Sequence, residues 1–150
     1  MRGVMCKRDM EADWEEKLLR AANRETEEQE RLFLGLVDQA SGHIDAHTAK
    51  VLLGTFTAKP DFGTQERVES VLATGDKKVV LKAVLEEMPR LVSEAPEWAA
   101  SLLGQELEHR TELLLSNLPN MSSEVQSAIS RVAQNEEFSS FYPNAELLAQ

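Results

Sequence analysis

Residues 76–89 read DKKVVLKAVLEEMP, and this stretch decides the fold class. Its apolar residues return every three or four positions, which places them along one side of an α-helix. Asp76 stands just before the pattern, where its carboxylate can accept hydrogen bonds from the free N–H groups of a first helical turn. Pro89 lacks an N–H and clashes with the preceding turn, so the sequence predicts that the helix kinks or breaks there. The residues predicted to face inward are Val80, Leu81, Val84, Leu85 and Met88.

The same spacing recurs along most of the chain, whereas the alternation typical of β-strands is nearly absent. Pro60, Pro89 and Pro119 are 29 and 30 residues apart, a period typical of stacked helix hairpins. We therefore predict an all-α protein, a small bundle of about seven to eight helices packed as HEAT-like stacked antiparallel hairpins. The predicted helices cover residues 13–22, 26–40, 45–59, 61–74, 76–89, 96–107, 113–118 and 122–132. Their predicted N-caps include Thr26, Asp45, Asp76 and either Ser122 or Ser123.

The chain has 150 residues, the commonest size for one domain. We predict a mobile N-terminal segment over residues 1–10 and a single α-helical domain over residues 11–150. One boundary has two interpretations, because no apolar residue occurs between Leu107 and Leu113. This piece is either a loop or the exposed face of one long helix, and we favour a break near Glu108.

The charge is unevenly distributed. The formal net charge is −10, and from residue 85 onward three basic residues stand against eleven acidic ones. Such a field repels nucleic acid and anionic lipid and attracts a basic protein, although solubility alone also explains it. Residues 1–10 contain no apolar run of signal-peptide length, and no segment is long enough to span a bilayer. We therefore expect a cytoplasmic protein without a nucleic-acid or membrane partner.

His43 and His47 are four residues apart, a spacing that would suit two metal ligands on one helical turn. However, Gly42 precedes the pair, and Asp45 has the position of a helix cap, so His43 falls before the helix starts. Surface histidines are therefore the better interpretation, and we expect no bound metal.

Other candidates for chemistry are equally isolated. Cys6 is the single cysteine, and His109 lies beside Glu108 and Glu112 on what is best interpreted as an exposed charged face. The sequence contains no phosphate-binding glycine loop, nucleophile elbow or cysteine pair. We therefore expect a protein that is not an enzyme and that binds no cofactor.

The two tryptophans have different expected roles. Trp98 stands just inside a helix start on the apolar side, which is typical of a core residue. Trp14 has two interpretations, packing in the core or anchoring the N-terminal helix to a partner.

The later part of the chain carries a recognisable combination of segments. The most specific is Ala95-Pro96-Glu97-Trp98-Ala99, which follows a Leu-rich helix; the others are residues 56–57, residues 60–66, Leu85, residues 88–91 and residues 102–103. Over residues 50–133 this combination resembles a helical family of bacterial immunity proteins, immunity protein 30. Members accompany polymorphic and contact-dependent growth inhibition toxins.

The resemblance implies an immunity protein, which would bind the C-terminal domain of a toxin and block it. The acidic balance agrees, since many such toxins are basic nucleases. An interpretation of a different class stays open: a helical-repeat adaptor for a cellular protein, with no toxin involved. A toxin gene just upstream would favour the first.

Acidic residues of the later helices are predicted to form the toxin-facing surface. The central cluster is Glu106, Glu108 and Glu112, where no helix cap explains the charge. If this cluster is not the interface, Phe138, Phe141 and Tyr142 are the next candidates. The remaining predicted toxin-binding residues are Glu86, Glu87, Glu94, Asp61, Glu66 and Glu69.

Overall fold

The computed structural model describes residues 13–59 and 63–148. All regular structure in these two ranges is helical, which confirms the predicted all-α bundle. The α-helices are α1 Trp14–Ala21, α2 Glu27–Gln39, α3 Ala46–Leu53, α4 Thr64–Leu72, α5 Lys77–Glu94, α6 Pro96–His109, α7 Thr111–Asn117, α8 Ser123–Ala133 and α9 Glu136–Phe141. Two 3₁₀ turns, Leu118–Asn120 and Pro143–Leu147, follow α7 and α9.

The described residues fall into two compact units. The first comprises residues 13–55 and 63–80, and the second comprises residues 56–59 and 81–148. The boundary lies within α5, between Val80 and Leu81, so this helix contributes to both units. The single domain and the HEAT-like stacking of hairpins stay predictions, and the segment 1–10 lies outside the described residues.

In the first unit, α1 packs on α2, and α2 and α3 both contact α4. Trp14 is 4% exposed, and its indole N–H donates to the carbonyl of Leu36 over 2.7 Å. This bond decides between the two roles considered for Trp14, because an indole held inside the unit is not available to a partner. Phe33, Val37 and Leu52 complete the unit's apolar centre.

Three predicted caps lie in or border the first unit. Thr26 accepts from the N–H of Gln29 over 3.1 Å, and Asp45 accepts from the N–H of Thr48 over 2.8 Å. Asp76 accepts from two N–H groups at the start of α5. His43 precedes α3, as expected. The fourth helix begins at Thr64, later than predicted; Asp61 lies outside the described residues.

In the second unit, α6 contacts α7, and α9 contacts both α8 and the last 3₁₀ turn. Leu85, Met88, Leu91, Leu103 and Leu107 are each at most 1% exposed and form the core. The short helix α9, capped by Asn135, was not among the predicted helices.

Gly104 provides a close approach between α6 and the C-terminal segment. A Cβ at this position would overlap the ring of Tyr142, so only a glycine allows that ring to lie against the helix.

Of the kink or break predicted at Pro89, the break does not occur, because α5 continues through this residue to Glu94. Met88 and Leu91 on either side are fully buried, and this packing opposes a break. Arg90 also ties the turn down, with one N–H donating to Glu94 over 3.3 Å and another donating to the carbonyl of Phe56 over 3.2 Å. Tertiary contacts have here overridden the local preference of proline.

Some apolar residues are less buried than predicted, among them Val80, which is only half-buried. Two others are more informative. Leu32 lies on the apolar stripe of the helix predicted over residues 26–40 but is 53% exposed. Trp98, predicted as core, is only half-buried, with its ring 4.7 Å from that of Phe56. In both cases the periodicity is correct and the core is narrower than the apolar stripe.

Candidate partner-binding surface

The basic residues of the later chain are largely occupied by ion pairs. Three lie beyond residue 85, namely Arg90, Arg110 and Arg131. Arg90 is 27% exposed in its side chain and pairs with Glu87 and Glu94 at 3.6 and 3.3 Å. Arg110, 28% exposed, pairs with Glu106 at 2.9 Å. Only Arg131 of the three is exposed without an ion pair among the described residues. The outer surface of this part of the chain is therefore dominated by carboxylates.

Glu106 is not on that surface. It is 6% exposed, and its carboxylate accepts a hydrogen bond from Arg110 over 2.9 Å. Burial raises the pKa of Glu106 in spite of the opposing attraction of Arg110. This buried position disagrees with the prediction that Glu106 faces a partner. The sequence did contain a sign that Glu106 pairs within the chain. Glu106 and Arg110 are four residues apart, the spacing at which oppositely charged side chains meet on one helix.

Glu108 and Glu112 are exposed, as predicted for a partner-facing surface. Helix α6 ends at His109, next to the favoured break at Glu108, and Arg110 separates it from α7. Glu108 lies 3.6 Å from Nε2 of His109, and both side chains are about two-thirds exposed. Glu112 has no ion pair among the described residues. Of the expected cluster of three, Glu108 and Glu112 are therefore exposed, whereas Glu106 is buried and paired with the partly exposed Arg110.

The acidic residues of α5 have different environments. Glu86 is exposed, and the Glu94 side chain is 63% exposed while pairing with Arg90. Glu87 was expected to point to solvent, but only 12% of its side chain is exposed because it pairs with Arg90.

The remaining predicted residues lie elsewhere in the chain. Glu66 is exposed and Glu69 half-buried on α4, in the first unit, whereas Glu86, Glu94, Glu108 and Glu112 belong to the second. Asp61 lies outside the described residues.

An open groove of about 680 Å³ lies in the second unit between α7 with its 3₁₀ turn, α8 and the last 3₁₀ turn. We call it the C-terminal groove. Sequence reasoning did not find it, because the residues that form it come from three elements. Its apolar lining consists of Leu115, Leu118, Pro119, Ile129, Leu147 and Leu148. Its polar lining residues are Ser123, Gln126, Ser127 and Ser130, all of α8.

The aromatic residues proposed as a second choice are mostly occupied in packing. Phe138 is 4% exposed, and its ring lies 4.8 Å from that of Tyr142, which covers Gly104. Phe141 alone projects, with 76% of its surface exposed.

The two histidines of the HxxxH pair do not form a shared site, because His47 is paired with a different helix. Nε2 of His47 lies 2.7 Å from a carboxylate oxygen of Glu15, so this imidazole is paired with α1 rather than with His43. The described residues contain no group of three His, Cys, Asp or Glu side chains that could hold a metal ion. None of the described helices is long and apolar enough to cross a bilayer.

Comparison of the chain with protein-family models, with curated proteins and with solved structures gives no match.

Proposed function

We propose that the protein is an immunity protein of the cytoplasm that binds a basic toxin domain and neutralises it by covering it. The observation that carries the proposal is the arrangement of charge in the second unit. Arg90 pairs with Glu87 and Glu94, and Arg110 pairs with Glu106. Glu86, Glu108 and Glu112 are exposed and are not paired with Arg or Lys among the described residues. Such carboxylates attract a basic surface over distances of about 10 Å.

The toxin as the partner rests on the resemblance of residues 50–133 to immunity proteins. Inhibition by coverage requires fast capture, and complementary charge accelerates capture more than it strengthens the final complex.

The test is association of the full-length protein with the C-terminal domain encoded by the gene immediately upstream, followed by stopped-flow fluorescence. We expect the association rate to fall about tenfold or more between roughly 50 and 300 mM salt, because counterions screen the attraction. The double reversal Glu108→Lys, Glu112→Lys should slow association at low salt and weaken protection of cells, with helix content unchanged.

The matched control is Glu25→Lys, Glu28→Lys, which makes the same charge change at two exposed positions of the first unit, one just before the N-cap of α2 and one in its first turn. We expect this control to associate faster than the Glu108, Glu112 variant. Equal rates for the parent and both variants would show that the α6–α7 junction is not the interface. If the protein binds a cellular protein but neither binds the upstream domain nor protects cells against it, then it is an adaptor and its partner is not a toxin.

A further inference from the structure

The C-terminal groove combines an apolar lining with an acidic border. We propose that it is a docking site for a cationic amphipathic helix of the partner protein. This inference rests on the proposed function, because it names which part of the basic partner, a helix, binds to the second unit. Its volume of about 680 Å³ exceeds that of a packing void, since a single water occupies about 30 Å³.

Hydrogen bonds hold together two of the elements that form the groove. Nε2 of Gln126 donates to the carbonyls of Leu118 and Met121, both over 3.0 Å, and so fastens the 3₁₀ turn to α8. The hydroxyl of Ser122 caps α8 by accepting from the N–H of Val125 over 3.2 Å. A groove held in this way loses little conformational freedom when a ligand enters, which favours binding.

The lining suits a helix with one apolar face. Leu115, Leu118 and Leu147 are partly or largely accessible and provide contacts for apolar side chains. On α8, Ser123, Ser127 and Ser130 line the groove at intervals of four and three residues, which places them on one face of that helix. Their side chains are small and leave room in the groove for the apolar face of an incoming helix.

The border selects a cationic occupant. Residues 111–148 contain five acidic residues and one basic residue, Arg131. The five acidic side chains, Glu112, Glu124, Glu136, Glu137 and Glu146, are exposed and have no ion pair among the described residues. Glu112 precedes Leu115 by three residues, and Glu124 precedes Ser127 by three, so both lie beside lining residues on their helices. A second copy of this chain would bring like charges together here, whereas a basic helix would neutralise them.

The experiment uses the full-length protein and a Leu/Lys amphipathic peptide about 18 residues long, equivalent to five helical turns. Isothermal titration calorimetry compares it with a Leu/Glu peptide and with a Leu/Lys peptide whose two central prolines prevent a helix. We expect binding of the helical cationic peptide alone. Ser127→Arg should weaken this binding by about tenfold or more, because it fills the groove and adds like charge to the ligand.

Substitutions of the border test the sign of the charge. Glu112→Lys should weaken binding of the Leu/Lys peptide, whereas Arg131→Glu should strengthen it. The matched control is Ser140→Arg on α9, the same chemical change at an exposed position that does not line the groove. It should bind the peptide like the parent.

Several results would overturn the docking site. If Ser127→Arg and Ser140→Arg weaken binding of the Leu/Lys peptide equally, the effect comes from net charge and not from the groove. Dimerisation of the parent that is lost in Ser127→Arg, measured by sedimentation velocity, would assign the groove to a second copy. Binding of the peptide at least about tenfold tighter in Lys7→Gln, Arg8→Gln would assign the groove to the chain's own N-terminal segment.

If the peptide does not bind while the upstream toxin domain does, the groove is excluded and the proposed function stands. Failure of both excludes both.

Discussion

At the residue scale, the two tryptophans occupy different environments. Trp14 is 4% exposed and donates a hydrogen bond to the Leu36 carbonyl, whereas Trp98 is half-buried against Phe56. Truncation of a fully buried aromatic leaves a cavity, and at Trp14 it also leaves a buried carbonyl without its donor. Trp14, whose role the sequence left undecided, is therefore expected to contribute more to the stability of the fold than Trp98.

We expect Trp14→Ala to lower the free energy of unfolding by roughly 3–5 kcal/mol and Trp98→Ala by less, about 2 kcal/mol. Urea unfolding followed by far-ultraviolet circular dichroism measures both. The control is Leu32→Ala, at a position that is 53% exposed, where the change should stay below about 0.5 kcal/mol. If Trp98→Ala costs as much as Trp14→Ala, Trp98 belongs to the core after all.

The buried Glu106 makes stability depend on pH. Its pKa is raised by burial, so between the ordinary Glu range and this raised value the folded state binds more protons than the unfolded state. Stability must therefore fall as the pH rises through that window. We expect Glu106→Gln to remove this decline, because the amide stays neutral and can still accept a bond from Arg110.

The measurement is urea unfolding at about pH 5 and about pH 7.5 for the parent, Glu106→Gln and Glu86→Gln. Glu86 is exposed on α5, so its substitution should leave the parent's pH dependence in place. An unchanged slope in Glu106→Gln would mean that this carboxyl does not carry the linkage.

At the scale of helices, short-range hydrogen bonds define several starts. Asp45 accepts from the N–H of Thr48 at the start of α3. Hydrogen bonds with the backbone and the side chain of Thr48 lower the pKa of the Asp45 carboxyl. Asp13 holds the corresponding position before α1 without accepting a capping bond. The two aspartates therefore provide a matched pair for measuring what a cap contributes.

Asp45→Ala should destabilise the protein by about 1 kcal/mol, whereas Asp45→Asn should retain most of the stability, since an amide oxygen also caps. Asp13→Ala should cost less than about 0.5 kcal/mol, because it loses only an exposed pair with Lys17. Because the pKa of Asp45 is lowered, its ionised carboxylate stabilises the fold above the ordinary Asp range. This contribution is lost as the pH falls through the lowered pKa. Thermal unfolding at neutral pH and in acid tests both statements, and equal costs for Asp45→Ala and Asp13→Ala would contradict the first.

At the scale of the whole molecule, neither compact unit is a continuous piece of chain. Residues 56–59 belong to the second unit although the residues on both sides belong to the first, and α5 contributes to both. Loss of structure in one unit would release a helix of the other. We therefore expect the single domain predicted over residues 11–150 to unfold in one cooperative step.

Each unit contains one tryptophan, which allows a direct measurement. In Trp98→Phe the fluorescence reports the first unit, and in Trp14→Phe it reports the second, while circular dichroism reports both. Within each variant the fluorescence and dichroism transitions in urea should coincide, which is the usual test of two-state unfolding. Separate midpoints would instead define two domains.

The sequence by itself determined most of the helices and several of their starts. An apolar period and a capping side chain act over three or four residues, so the caps Thr26, Asp45 and Asp76 could be recognised without knowledge of the rest of the chain. For α8 the sequence left Ser122 and Ser123 as alternatives, and the structure shows Ser122 as the cap. The exposure of Glu108 and Glu112 was likewise predictable from their place between apolar positions.

Only the tertiary structure decided which residues those helices bury. Glu106 is buried, and α5 passes through Pro89, because each helix packs into surroundings built by other parts of the chain. The C-terminal groove brings together residues as far apart as Leu115 and Leu148, and no local pattern encodes that meeting. Burial is a property of the assembled core, whereas a helix and its cap are properties of neighbouring residues.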